Sequence, residues 1–600
     1  MRIHRVVFAL AMLTALTGKG DAVSLEIISP AGTNSEVATP TINVALRLTD
    51  FEKGTTYSAL IGETTVPVFS TGIAVRDFVP VAMGANKISV AVVGHESQTS
   101  KTLTIMRKES LPKPAIRPTD RKFLPAGNTQ LPAGETVEVG FDETSGGQGE
   151  VNWGGQWKPL FEEANPVSGR SMYRGEMLLS DGAVTTNSAT SDTVEMRYRA
   201  KPADTWTTLR SKGRVLMLDG ATRRMVKTKN DRAPISFGLT EVRLGGPFIS
   251  EVSSNTVFEV TGQVGTDLRV ALGETNSGWV SVSQTVPLAS NHPKPHLEFV
   301  GVATTITATG DESLSVAYPE VAPYAVKDVM SADGKPEIHI DFYGAHPAAT
   351  WISHQPNLAI IKHILLEQPA PDVVRLRVLL NEDRLWGYRT EIAGGTFKVT
   401  VRKGPEFDRA NPLAGLTFAI EAGHGGTDNG ARGLAGTREK DINRQVSDVL
   451  EKQLIAKGAT VIQTRVGDTN PGRDERADRA TDANAHFFIS IHCNSAGSHR
   501  GYLGVKGNST LYKHPFNHEL NTIMHQTIMK ETGLESFGII ANFNYTPVRL
   551  MTWMPSVLVE QAFISNPKEE EMFNTPEYQE QMARGIVLGI EEYLAKPGKH

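Results

Sequence analysis

The chain has 600 residues, 40% of them hydrophobic and 21% charged, with a net charge of −5. At roughly 100–200 residues per domain this length asks for several domains, and the composition excludes wholesale disorder. The mild negative balance excludes a nucleic-acid partner as the organising theme, since such proteins carry strongly basic faces.

The chain opens like a secretory signal. Arg2, His4 and Arg5 precede "VVFALAMLTAL", an apolar run over residues 6–16 that is too short to span a bilayer. Gly20 and Ala22 are small enough for a cleavage site, so residues 1–22 read as a signal peptide rather than as a buried first strand. No later stretch reaches about 18 apolar residues, so no transmembrane segment is expected. The single cysteine, Cys493, excludes an internal disulfide. An exported chain of this size without disulfides fits the periplasm or cell envelope of a bacterium.

Up to about residue 410 the pattern is period two, broken by Gly, Pro, Asn and Asp. "TINVALRL", "KISVAVVG" and "VFEVTGQV" are examples. This predicts a series of all-β modules. Residues 23–110 resemble an immunoglobulin-like sandwich, and 111–220 form a β-rich module. Residues 221–300 resemble an SH3-like module through "EVRLGGPFISEV" and "GTDLRVALGETNSGWVSVS". Residues 320–405 resemble an AMIN-like domain through "PEIHIDFYG", "NLAIIKHILL" and "DVVRLRVLLN". The proline-rich "LPKPAIRP" and "HPKPH" read as linkers.

After residue 410 strands and helices alternate, which predicts an α/β domain with a mostly parallel sheet. "LTFAIEAG" is a strand. "EKDINRQVSDVLEKQLIAKG" is a helix with Ile442, Val446, Val449, Leu450 and Leu454 on one face, and Gly458 at its left-handed end. The strand "ATVIQTR", the polar helix "RDERADRATDANA" and the strand "HFFISIH" follow. Next come the helix "NHELNTIMHQTIMKETG", the strand "PSVLVEQ" and a last helix opened by Thr575 and Pro576.

Three of these strands run out at a residue able to do chemistry: His424, His492 and Glu560. Ligands gather at the carboxyl ends of strands in open α/β sheets. A further carboxylate, Glu439, starts the helix after the loop that begins at His424. Two histidines and a carboxylate make a common catalytic zinc set with an open position for water, whose pKa zinc lowers toward about 7. A second carboxylate can shuttle a proton to a leaving amine. The glycines in "AIEAGHGGTDNGARG" let the backbone turn at such a site, and no Gly-Lys-Ser/Thr follows that would make the loop a phosphate cradle. Taken alone, His424 would be an ordinary loop histidine; the convergence of four groups argues for a ligand.

Together, "AIEAGHGGTDNGARGLAGTREKDIN", "FISIHCNSAG" and "MPSVLVEQAFISNPKEEEMF" resemble the zinc N-acetylmuramoyl-L-alanine amidases of the Amidase_3 type, over residues 413–597. The resemblance implies His424, Glu439 and His492 as zinc ligands and Glu560 as the catalytic carboxylate. It implies peptidoglycan as substrate, cut between N-acetylmuramic acid and L-alanine, with an envelope activator protein as a further partner. The rival readings are a non-catalytic wall binder and a zinc peptidase acting within the stem peptide. Glu421 stands where the family usually has Asp, and Cys493 replaces a small residue. Asn494 and Arg549 are candidate substrate-groove residues.

Other polar clusters have plainer readings. Arg473, Arg476 and Arg479 read as a solvated helix face, one of them near enough to meet an acidic stem peptide. His514, His518 and His525 read as a solvated helix face rather than a surface metal site. Cys493 reads as a buried small residue rather than a nucleophile. Every site residue follows residue 410, so the β half is expected to direct the enzyme to the wall without joining the chemistry.

Overall fold

The computed structural model describes residues 23–93, 98–108, 121–165, 170–180, 193–218, 223–239 and 246–596. Residues 1–22, expected to be a signal peptide, the proline-rich stretch 111–118 and residues 241–245 of the SH3-like stretch lie outside the described residues. Among the described residues no helix is long and apolar enough to cross a membrane.

The β half begins with two sheets facing one core. One holds Ser24–Ser29, Thr41–Thr49 and Ile73–Pro80; the other holds five strands, including Gly84–Val93 and Gln98–Arg107. Alternation along Thr41–Thr49 sends Val44, Leu46 and Leu48 into that core, as the period-two pattern requires. Hydrogen bonding then runs unbroken from the second module into the third. Thr129–Pro132 pairs parallel with Thr207–Leu218 and antiparallel with Val257–Val264. The third unit is a small antiparallel one, with strands from Arg224–Thr228 to Thr285–Pro287. In the fourth, Val302–Ile306 and Glu312–Ala317 join the sheet of Thr396–Val401, so its strands begin ahead of residue 320.

The third and fourth units share one apolar core, running from Val226 through Phe299, Phe342 and Phe397 to Val401. Phe516 of the α/β domain inserts into it. "HPKPH" is therefore a connection between units packed together and not a free linker.

In the α/β domain we label β1 Thr417–Ala422, β2 Thr460–Gln463, β3 Phe487–Asn494, β4 Asn508–Leu511, β5 Ser536–Ile540 and β6 Ser556–Phe563. The helices are α1 Glu439–Ala456, α2 Arg473–Asp482, α3 His518–Thr532, α4 Thr546–Leu550, α5 Pro567–Phe573 and α6 Pro576–Ala595. The sheet order is β2-β1-β3-β6-β4-β5. All neighbours are parallel except β6 and β4. The central strands are covered on both faces, which is why β3 reads as a nearly continuous apolar run. Ile442, Val446, Leu450 and Leu454 of α1 are buried, each contributing about 1.5–3 kcal/mol, whereas Val449 is only half-buried at the margin. Gly458 takes φ +82° just past the helix, and Thr575 caps α6 by accepting from the Tyr578 amide. Strands β4 and β5 carry no clear alternation and were not expected.

Candidate metal centre and substrate groove

β1 and β3 lie side by side, with Ala422 opposite Ile491, so the chain leaves both strands at the same edge. His492 and Glu560 are register partners on β3 and β6. The backbone at His424 takes φ +63°, a left-handed conformation that costs energy for a residue with a side chain. Arg465 and Arg476 hold it by donating to the His424 carbonyl at 3.1 and 2.8 Å. Two glycines are set by close approach rather than by turning alone. A Cβ on Gly423 would stand 2.3 Å from His492 Cε1, and one on Gly430 would stand 2.5 Å from Glu439 Oε2.

His424, Glu439 and His492 each turn one ligand atom to a common point, all within 4.8 Å of one another. His424 Nε2 lies 3.2 Å and His492 Nδ1 3.1 Å from Glu439 Oε1. Ligands about 2.0–2.1 Å from a tetrahedral zinc are separated by about 3.3 Å, so the donor set fits that ion in type and spacing. Asp428 Oδ2 sits 2.9 Å from His424 Nδ1, which turns Nε2 toward Glu439 and the common point. Glu439 starts α1, where the helix dipole favours an anion, and accepts from the Ala431 and Cys493 amides at 2.7 and 3.0 Å. Burial opposes its charge, but the two imidazoles hold its carboxyl well below the usual range.

Glu421 sits fully buried behind the centre. Its carboxylate meets Arg476, the Ser490 hydroxyl and, at 3.4 Å, His492 Nε2. Arg476 is thus not solvated: it is 3% exposed and also binds the carbonyls of Ala422, His424 and Pro471. A single polar helix face is split three ways. Arg476 points inward, Arg473 lies 5.3 Å over the Tyr545 ring at the groove, and Arg479 bonds the Thr464 carbonyl and Glu475.

The histidines around α3 form no metal face, and of the three only His518 is exposed as a solvated face requires. His525 is buried between Asn508 and Ser536, His518 meets the Tyr512 hydroxyl, and His514 meets Asp328 and the Arg549 carbonyl. Cys493 is buried, and burial pushes its thiol pKa well up, as suits a packing residue.

Glu560 and the three donors line one groove of about 1280 Å³, together with Asn494 and Arg549. Asn494 Oδ1 accepts from the Ser495 amide. Arg549 is paired at 2.9 Å with Glu251 of the β half, so its charge is committed to an inter-domain contact. Sequence reasoning missed Asp428, Lys440 and Tyr545. Lys440 ties the glycine loop down through the Gly426 carbonyl and Asp468, and the Tyr545 ring stands edge-on 5.6 Å from His492. Only Asp428, four residues after His424 in a glycine loop, left a signal that could have been read.

A family model described as N-acetylmuramoyl-L-alanine amidase (Amidase_3) matches residues 419–592. YqiI of Bacillus subtilis (strain 168) is 34% identical over 188 residues, 31% of this chain and 87% of that protein. The N-acetylmuramoyl-L-alanine amidase LytC of the same strain is 31% identical over 183 residues, 30% of this chain but only 36% of LytC. The solved catalytic domain of CwlV, an N-acetylmuramoyl-L-alanine amidase from Bacillus (Paenibacillus) polymyxa var. colistinus, is 34% identical. It covers 30% of this chain and 98% of that domain, with a TM-score of 0.28. Through its α/β domain, this chain belongs to the N-acetylmuramoyl-L-alanine amidase family of the Amidase_3 type.

Proposed function

We propose that the protein is an exported zinc amidase of the bacterial envelope. It hydrolyses the amide between the lactyl group of N-acetylmuramic acid and L-alanine in peptidoglycan. The observation that carries this reading is the meeting of His424, Glu439 and His492 at one point in a groove that Glu560 also lines. These three residues would hold the ion, and Asp428 fixes which nitrogen His424 presents. Zinc bound there supplies a Lewis acid at the scissile carbonyl and acidifies water. Glu560 takes a proton from water and returns it to the departing L-alanine nitrogen. Asn494 stays in the proposal as a groove residue, and Arg549 as one that joins the groove to the β half. An envelope activator remains part of the proposal.

The test is mass spectrometry of digested peptidoglycan with the metal-loaded chain. Stem peptides with a free L-alanine amine are expected; cuts inside the stem would make it a peptidase, and no release would make it a wall binder. Chelation should abolish activity and zinc restore it. Glu560→Gln should retain about one zinc per chain while the rate falls about 100-fold or more. Loss of zinc in that variant would make Glu560 a ligand instead.

A further inference from the structure

The groove has two walls, and only one comes from the amidase domain. The other belongs to the small antiparallel unit and presents Ser236, Phe248, Asp267, Trp279 and Ser281 to the cavity that holds His424, Glu439, His492 and Glu560. We propose that this second wall binds the glycan strand of the substrate, so that the unit is a sugar-recognition surface of the active site. The proposal rests on the amidase reading above.

The position of the wall is built in. Arg549 pairs with Glu251 at 2.9 Å, both largely buried, and its guanidinium lies 5.3 Å over the Phe248 ring. Asn544 Nδ2 donates to the Gly246 carbonyl at 2.9 Å, and Arg232 pairs with Asp478 at 2.6 Å. The unit shares its core with the following β unit, into which Phe516 of the amidase domain is packed. The Arg232–Asp478 pair is exposed, but the mostly buried Arg549–Glu251 pair and the shared core hold the wall at its distance from His424, Glu439 and His492.

Its chemistry selects among the parts of the substrate. Among the described residues this wall offers no Lys or Arg to the groove. It has the Trp279 ring, the Phe248 ring with Arg549 and Lys513 5.3 and 5.0 Å from its centre, the hydroxyls of Ser236, Thr266 and Ser281, and the carboxylate of Asp267. The described residues of this wall that line the groove carry no positive charge of their own with which to hold an acidic peptide. A neutral sugar ring has an apolar face for an aromatic ring and hydroxyls for a few polar groups, the mixture such sites provide. The groove's cations, Arg473 and Arg549, stand on the amidase side.

Two measurements on the full chain test this. The first compares kcat/KM for a stem peptide carried on one N-acetylmuramic acid with the same peptide carried on a tetrasaccharide or longer glycan. The wild type should prefer the longer glycan. Trp279→Ala should lower that preference about tenfold through KM, and Trp279→Phe should keep most of it. The second needs no change at Trp279: hydrogen exchange of Glu560→Gln with and without peptide-free glycan chains. Slowed exchange in strands 248–252 and 276–281 is expected. Protection confined to residues after 410, or an unchanged preference in folded Trp279→Ala, overturns the proposal. If the wild type cleaves neither substrate, the amidase reading fails, while the exchange experiment still decides the sugar wall.

Discussion

Asp428 decides which nitrogen His424 turns to the donor cluster. An imidazole has two nitrogens, and the carboxylate 2.9 Å from Nδ1 decides that Nε2 faces Glu439. Partners of this kind tune metal affinity without touching the ion. Asp428→Ala should weaken zinc binding about 10–100-fold, read by competition with a chromophoric chelator, while the fold persists. Unchanged affinity would mean that the strained backbone at His424, clamped by Arg465 and Arg476, is enough to aim the ring. Glu421 shows the same logic at longer reach. With one methylene more than the family's usual Asp, its carboxylate spans Arg476, Ser490 and His492, and these partners hold it ionised in a fully buried place.

At the scale of elements, the packing of α3 against α6 sets the back of the sheet. Met582, Ile586 and Ile590 of α6 are buried, and Gly585 and Gly589 let the helices approach closely. A Cβ on Gly585 would lie 2.9 Å from Ile528 Cα, a backbone atom that yields only if the helix moves. Helix propensity alone would favour Ala over Gly by about 1 kcal/mol. Overpacking costs about 1–3 kcal/mol, so the clash should win. Gly585→Ala should lower the urea midpoint of the amidase domain; a rise would show that α3 slides freely on α6.

At the scale of the whole molecule, the β half is fastened to the amidase domain along several lines. Arg402 is buried and donates to the carbonyls of Asn484, Ala485 and Trp553. Trp386 packs edge-on against Phe487 and Tyr593, and Arg384 pairs with Glu519 at 2.8 Å. From the first sandwich, Asp77 accepts from the amides of Tyr502 and Leu503. This interface has a titration built into it. His486 accepts from the Thr417 amide, and burial together with the nearby Arg402 lowers its pKa to about 4. An unfolded histidine titrates near 6.5, so between about 6.5 and 4 the unfolded chain binds the extra proton. The stability that His486 contributes is therefore complete above pH 6.5 and is lost as pH falls toward 4. Urea unfolding at pH 7, 5.5 and 4.5 should show a shallower pH slope for His486→Gln than for wild type; parallel slopes would remove the interface from this account.

The sequence by itself determined the local patterns: alternation in the β half, the apolar face of α1, the glycine past its end, and the strands that carry His424, His492 and Glu560 at or near their carboxyl ends, although β3 runs on to Asn494 and β6 to Phe563. These follow from backbone geometry and side-chain periodicity, which act over a few residues. It could not tell that Arg476 and His525 are buried, because a polar residue goes inside only where a partner waits. Arg476 finds its partner at Glu421, 55 residues away in the chain. Nor did any spacing reveal that Phe248 and Trp279 line the groove of His424, Glu439 and His492, since both read as ordinary strand residues of a separate module. Only the tertiary structure decided that the groove has a wall from each half, because the buried Arg549–Glu251 pair and the shared core around Phe516 join segments hundreds of residues apart.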